Sequence, residues 1–175
     1  MTSKPDGNKA YAPSVVVLMG VSGSGKSTIG TLLAETLGWQ YADSDSFHPP
    51  ANVDKMSLGI PLDDVDRLPW LESLRSEIRK WLAEHKRGVM ACSALKGNYR
   101  HILNVDSEQV RFVYLKGDHA LFAARLAQRK GHFMKASMLD SQLDTLEEPR
   151  DALSVDASMA PPAIVDEIIK SLKLS

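Results

Sequence analysis

The chain has 175 residues, 21 basic against 22 acidic side chains, a formal charge of −1 and a single Cys. That length suits one domain with a sizeable core, and a near-neutral surface excludes a strong electrostatic footprint for nucleic acid or an anionic membrane. A lone Cys excludes an internal disulfide framework, and no apolar run approaches the length of a membrane span.

Residues 1–13 are polar, contain Pro and Gly, and lack the apolar stretch of a signal peptide. They read as a disordered lead-in to a single domain over 14–175. The first apolar run, Val15 to Met19, is β-branched and predicts a strand. It is followed by Gly20-Val21-Ser22-Gly23-Ser24-Gly25-Lys26-Ser27, a complete G-x-x-x-x-G-K-[ST] loop, and then by a helical pattern, Lys26 to Leu37. Strand, loop and helix in that order are the context the motif requires. Glycines let backbone N–H groups turn inward on a phosphate chain, and the helix adds the positive end of its dipole. Lys26 supplies a point charge for the outer phosphates, and the Ser27 hydroxyl can ligate Mg²⁺. Residues Gly20 to Thr28 are therefore expected to bind a nucleoside triphosphate.

The second run, Trp39 to Ala42, ends in Asp43-Ser44-Asp45. Phosphoryl transfer to a hydroxyl needs one carboxylate to help hold the metal and a group to receive or orient the hydroxyl proton. Asp43 is the candidate for the metal and Asp45 for the hydroxyl. The acids of Asp63 to Asp66 and Pro69 open a helix expected over Trp70 to His85, with Leu71, Leu74, Ile78 and Leu82 at helical spacing. Arg67 is a cation near that helix start, against the dipole, and a planar guanidinium suits a carboxylate or phosphate. Pairing with a neighbouring Asp is the alternative.

The third run, Gly88 to Cys92, precedes a helix over Lys96 to Leu103. Lys96, Tyr99 and Arg100 share a face there and could grip hydroxyls or an acid, or simply face solvent. The fourth run, Val110 to Leu115, leads into a helix over His119 to Arg129. Arg125 and Arg129 share its face ahead of Lys130-Gly131-His132-Phe133. A small lid is expected over about residues 130–137, with Arg125 at the nucleotide and Arg129 over the transferring phosphoryl group. Helices over Ser137 to Leu146 and Pro162 to Leu172 flank a weak fifth run, Leu153 to Val155. Alternating strands and helices predict an α/β fold, a parallel five-stranded sheet with helices on both faces, whose ligands bind at the carboxyl ends of the strands.

Five blocks together resemble the gluconokinase family, small P-loop kinases related in fold to shikimate and adenylate kinases. They are Leu18 to Ser27; Asp45 with His48-Pro49, Asn52 and Lys55-Met56; Gly59 with Pro61-Leu62, Asp64, Asp66-Arg67 and Pro69-Trp70-Leu71; Cys92 to Lys96 with Tyr99-Arg100; and Gly131 to Met134 with Ser141-Gln142, Leu146-Glu147 and Pro149. The resemblance runs from about Val16 to Pro149. It implies transfer of a phosphoryl group from ATP, with Mg²⁺, to the 6-hydroxyl of D-gluconate. Asp45 would orient or deprotonate that hydroxyl. Arg67 or Arg100 would hold the carboxylate, with His48, Lys96, Tyr99 and His132 among the acceptor's contacts. The resemblance also implies a homodimer, and a cytoplasmic location is expected. Ser44 stands where Gly is often found, and Asn104 where Arg is common. Another small acceptor, such as shikimate or another sugar acid, is the nearest alternative. A nucleotide-dependent switch is the more distant one, and the chain has no Asn-Lys-x-Asp guanine motif.

Overall fold

A computed structural model describes residues 12–129 and 136–175. Of the expected lead-in only Ala12 and Pro13 fall among the described residues, and Pro13 is already buried. Most of the expected lid, including His132, lies outside them.

In chain order the elements are β1 (Val15–Met19), α1 (Lys26–Leu37), β2 (Gln40–Asp43), a 3-10 turn (Ser44–Phe47), α2 (Pro50–Ser57), α3 (Asp64–Ala83), β3 (Gly88–Ala91), α4 (Gly97–Leu103), β4 (Val110–Lys116), α5 (His119–Gln128), α6 (Ala136–Thr145), β5 (Leu153–Asp156) and α7 (Pro161–Leu172). All strand pairs are parallel, and the sheet order is β2-β3-β1-β4-β5. β1 is central, and all five of its residues are buried. Alternation of side chains along a strand splits them between two layers. Val16 and Leu18 pack with Ile29 and Leu33 of α1 and Ile164 and Ile168 of α7. Val15, Val17 and Met19 pack on the other face with Leu71, Leu74 and Ile78 of α3 and Leu103 of α4. Strand order turns back on itself at β1, so its carboxyl end opens the crevice where a ligand fits.

Two α-helices differ from the sequence-based expectation by more than a residue or two. α3 begins at Asp64, six residues before Trp70, because Asp63 and Asp66 form a reciprocal capping box. The Asp63 carboxylate accepts from the Asp66 N–H at 2.7 Å, and the Asp66 carboxylate accepts from the Asp63 N–H at 3.1 Å. Two satisfied first-turn donors outweigh Pro69, which sits inside the helix rather than at its start. Arg67 consequently lies in the second turn, where the dipole's opposition has largely faded. The other difference is α2, which the expected elements omit; its Pro-Pro entry was the available signal.

Candidate active site

The phosphate loop joins β1 to α1. Gly23 and Gly25 have φ of +83° and +98°, a region that L side chains rarely adopt. A Cβ on Gly23 would also lie 2.9 Å from the Phe122 carbonyl oxygen of α5. Gly25 is the N-cap of α1, with no side-chain cap and no acid in the first turn. The helix's first N–H groups and its dipole are thus left for an anion. Lys26 folds back under the loop, donating to the carbonyls of Gly20 at 2.9 Å and Val21 at 3.1 Å. Burial there draws its pKa down from the usual lysine value, nearby Arg129 adds to that, and Asp45 and Asp43 oppose it.

The Ser27 hydroxyl donates to Asp43 at 2.9 Å, so the two oxygen donors expected at a metal are adjacent. Tyr41 reaches the same carboxylate oxygen at 3.4 Å, and the other oxygen accepts from the Asp45 N–H at 3.0 Å. Asp43 thereby caps the 3-10 turn that presents Asp45. One hydroxyl and one carboxylate suit Mg²⁺, which keeps several waters and uses phosphate oxygens rather than an all-protein cage. No cluster of three His, Cys, Asp or Glu side chains that could hold a metal by itself occurs among the described residues.

Two cavities meet at the loop. The larger, about 290 Å³, lies between the loop, Thr28, Arg125 and the segment with Ala157, Met159 and Pro161. The smaller, about 160 Å³, is lined by Lys26, Ser27, Asp43, Asp45 and Gln142 among others. Arg129 lines both, at the C-cap of α5. Arg125 donates to the Gly23 and Ser24 carbonyls at 3.4 Å each and to the Ala157 carbonyl, tying the loop to the segment after β5.

On the far side of the 3-10 turn, His48 stacks on Trp70, with ring centroids 4.5 Å apart and planes 10° from parallel. The Trp70 indole N–H donates to the Ser44 carbonyl at 2.8 Å, which anchors α3 beneath the turn. Buried Asn52 donates through Nδ2 to the Asp66 carbonyl at 2.8 Å, which fixes the orientation of its amide. The same Nδ2 lies 3.3 Å from His48 Nδ1, so Nδ1 accepts and Nε2 carries the proton. Burial, then the charge of Arg67, hold the His48 pKa down at about 4, leaving a neutral N–H donor at neutral pH.

The face expected to join Lys96, Tyr99 and Arg100 divides. Lys96 pairs with Asp64 at 3.0 Å, and Tyr99 donates to the same carboxylate while accepting from Arg67 at 3.1 Å. Arg100 turns away onto carbonyls of Ala94 at 2.8 Å, Leu95 at 3.2 Å and Glu147 at 2.9 Å. Ala94 has φ +44°, so Arg100 braces a strained turn after β3. Three site residues were not expected from the sequence: Trp70 as a stacking platform, Asp64, and Gln142, whose Oε1 accepts from the Ser22 N–H at 2.7 Å. All three sit within the blocks that carry the family resemblance, but without a role assigned to them there. No local pattern announces a contact spanning 120 residues.

The shikimate kinase family model matches residues 22–173. A gluconokinase of Gluconobacter oxydans is 44% identical over 161 residues, covering 90% of each chain. The thermosensitive gluconokinase of Escherichia coli is 47% identical over 134 residues, covering 77% of this chain and 72% of its own. The crystal structure of a gluconokinase from Sinorhizobium meliloti superposes with a TM-score of 0.83 at 42% identity, covering 93% of each chain.

Proposed function

The chain belongs to the gluconokinase family, and we propose that it transfers the γ-phosphoryl group of ATP to the 6-hydroxyl of D-gluconate, giving 6-phospho-D-gluconate and ADP. The base of ATP fits the larger cavity, between Thr28, Arg125 and the Ala157–Pro161 segment. Its phosphates then run over the uncapped start of α1 into the smaller cavity, between Lys26 and Arg129. Ser27 and Asp43 would hold Mg²⁺, which when bound neutralises charge on the phosphate oxygens. Asp45 orients the acceptor hydroxyl and can take its proton. A largely dissociative transition state makes positioning and charge stabilisation its larger demand.

The observation that carries the acceptor assignment is the pairing of half-buried Arg67 with neutral His48 beside the turn that bears Asp45. A single cation for a carboxylate, next to a neutral donor for hydroxyls, matches a sugar acid. Arg67 is the better partner for that carboxylate than Arg100, whose guanidinium is spent on three backbone carbonyls. The homodimer and the cytoplasmic location belong to the same proposal: dimers are usual in the family, and ATP is a cytoplasmic co-substrate. Solution mass from light scattering tests the dimer.

Coupled ADP release with Mg-ATP and D-gluconate, shikimate, glucose, glucuronate or AMP tests the acceptor. Strong turnover with gluconate alone is expected. Turnover with another acceptor and none with gluconate would break the acceptor assignment and keep the kinase, whereas slow acceptor-independent hydrolysis would favour a switch.

A further inference from the structure

The first two turns of α3 place three acids around Arg67, yet among the described residues none of them forms an ion pair with it. Asp63 is used as the helix cap, and Asp66 pairs with Lys55 at 2.8 Å while completing the capping box. Asp64 accepts from both Lys96 and Tyr99. Among the described residues, the Tyr99 hydroxyl is the hydrogen-bond partner of the guanidinium, whose carbon also lies 5.7 Å from the Tyr99 ring centroid. The half-buried guanidinium feels the Asp64 charge but bonds directly to none of the three carboxylates, which suits it to a ligand's carboxylate.

A tyrosine hydroxyl has one proton and two lone pairs. Asp64 takes the proton, so the oxygen presents lone pairs to Arg67. We propose that Asp64, acting through Tyr99, is a positioning residue that fixes the direction of Arg67 and thereby the selectivity for a carboxylate-bearing acceptor. Lys96 completes the arrangement, with its ammonium 3.0 Å from Asp64 and 5.6 Å from the centroid of the same ring. The ring thus has two cations near it and its hydroxyl is oriented by one anion. Tyr99 is buried, so its ring is a rigid reference for the guanidinium. This inference rests on Arg67 as the carboxylate's partner in the function proposed above.

The test is steady-state kinetics of full-length Asp64→Asn, Tyr99→Phe, Arg67→Lys and the Tyr99→Phe/Arg67→Lys double variant, with gluconate and Mg-ATP varied separately. Asp64 is exposed and Tyr99→Phe keeps the ring, so these changes spare the packing. Loss of a hydrogen bond to a charged group predicts a rise of about tenfold in KM for gluconate in Asp64→Asn and Tyr99→Phe. The turnover number and KM for Mg-ATP stay at wild-type values, which a general loosening of the fold would not allow. The double variant is no worse than Arg67→Lys alone, because both changes remove one interaction. Additive losses, or a fall in turnover number at unchanged KM, overturn the relay. A wild type silent with gluconate but active with another anionic acceptor overturns the acceptor assignment instead, and the same cycle read with that acceptor decides the relay.

Discussion

Asp45 and Lys26 line one cavity but are proposed to act on different partners, so their losses should separate. Asp45→Asn keeps the loop, the uncapped helix start and Lys26. We expect it to abolish phosphoryl transfer while nucleotide affinity, measured by calorimetry with a non-hydrolysable ATP analogue, survives. Near-normal turnover in that variant would remove Asp45 from the mechanism. Lys26→Ala should instead cripple turnover with every acceptor. His48 makes a separate prediction through pH. Its folded pKa of about 4 lies below the ordinary 6.5, chiefly through burial and then through Arg67. As pH falls from 6.5 towards 4, the unfolded chain takes up a proton that the folded chain refuses, so stability falls across that window. Urea midpoints at pH 7 and pH 5 should differ less in His48→Gln than in the wild type. An unchanged difference would mean that other groups set the slope.

Helix α1 meets β2 through a residue without a side chain. A Cβ on Gly30 would sit 2.7 Å from the Tyr41 ring, whose hydroxyl reaches Asp43. In an isolated helix Gly30→Ala would gain about 0.8–1 kcal/mol from propensity. Here overpacking costs roughly 1–3 kcal/mol and pushes on the ring whose hydroxyl reaches Asp43, the carboxylate proposed for the metal. A lower melting temperature and a raised Mg²⁺ requirement are the expected result, and a more stable variant would show that the interface yields freely. The capping box of α3 works the other way: it lengthens the helix by a turn and a half. That added length carries Asp64, Asp66 and Arg67 to the site, held there by Trp70 on the Ser44 carbonyl.

For the molecule as a whole, the cavities proposed for the nucleotide are lined by the loop, α1, α5 and the segment after β5, so binding there should couple to global unfolding. A non-hydrolysable ATP analogue with Mg²⁺ at a hundred times its dissociation constant should add about 2.7 kcal/mol, or roughly 5–10 °C in melting temperature at this size. Differential scanning fluorimetry reads this directly. A melting curve indifferent to the analogue would contradict a nucleotide site built across those elements. The described part of the chain carries no helix long and apolar enough to cross a membrane.

The phosphate loop, the alternating strands and helices, and the Asp43/Asp45 pair were legible in the residue order, because each depends on neighbours a few positions apart. Strand periodicity and glycine spacing act locally, and the parallel order follows from the crossover helices between strands. The division of labour between two arginines was not legible. Arg67 and Arg100 have the same chemistry and comparable local context, and only the packed structure turns one onto carbonyls and leaves the other charged beside Tyr99. The neutrality of His48 likewise comes from burial, with Trp70 stacked on its ring, and then from the charge of Arg67, and both of those residues are brought to it by α3. The sequence by itself determined which groups could do chemistry. The tertiary structure decided which of them are free to do it, because burial and hydrogen bonds between distant segments settle where each charge is spent.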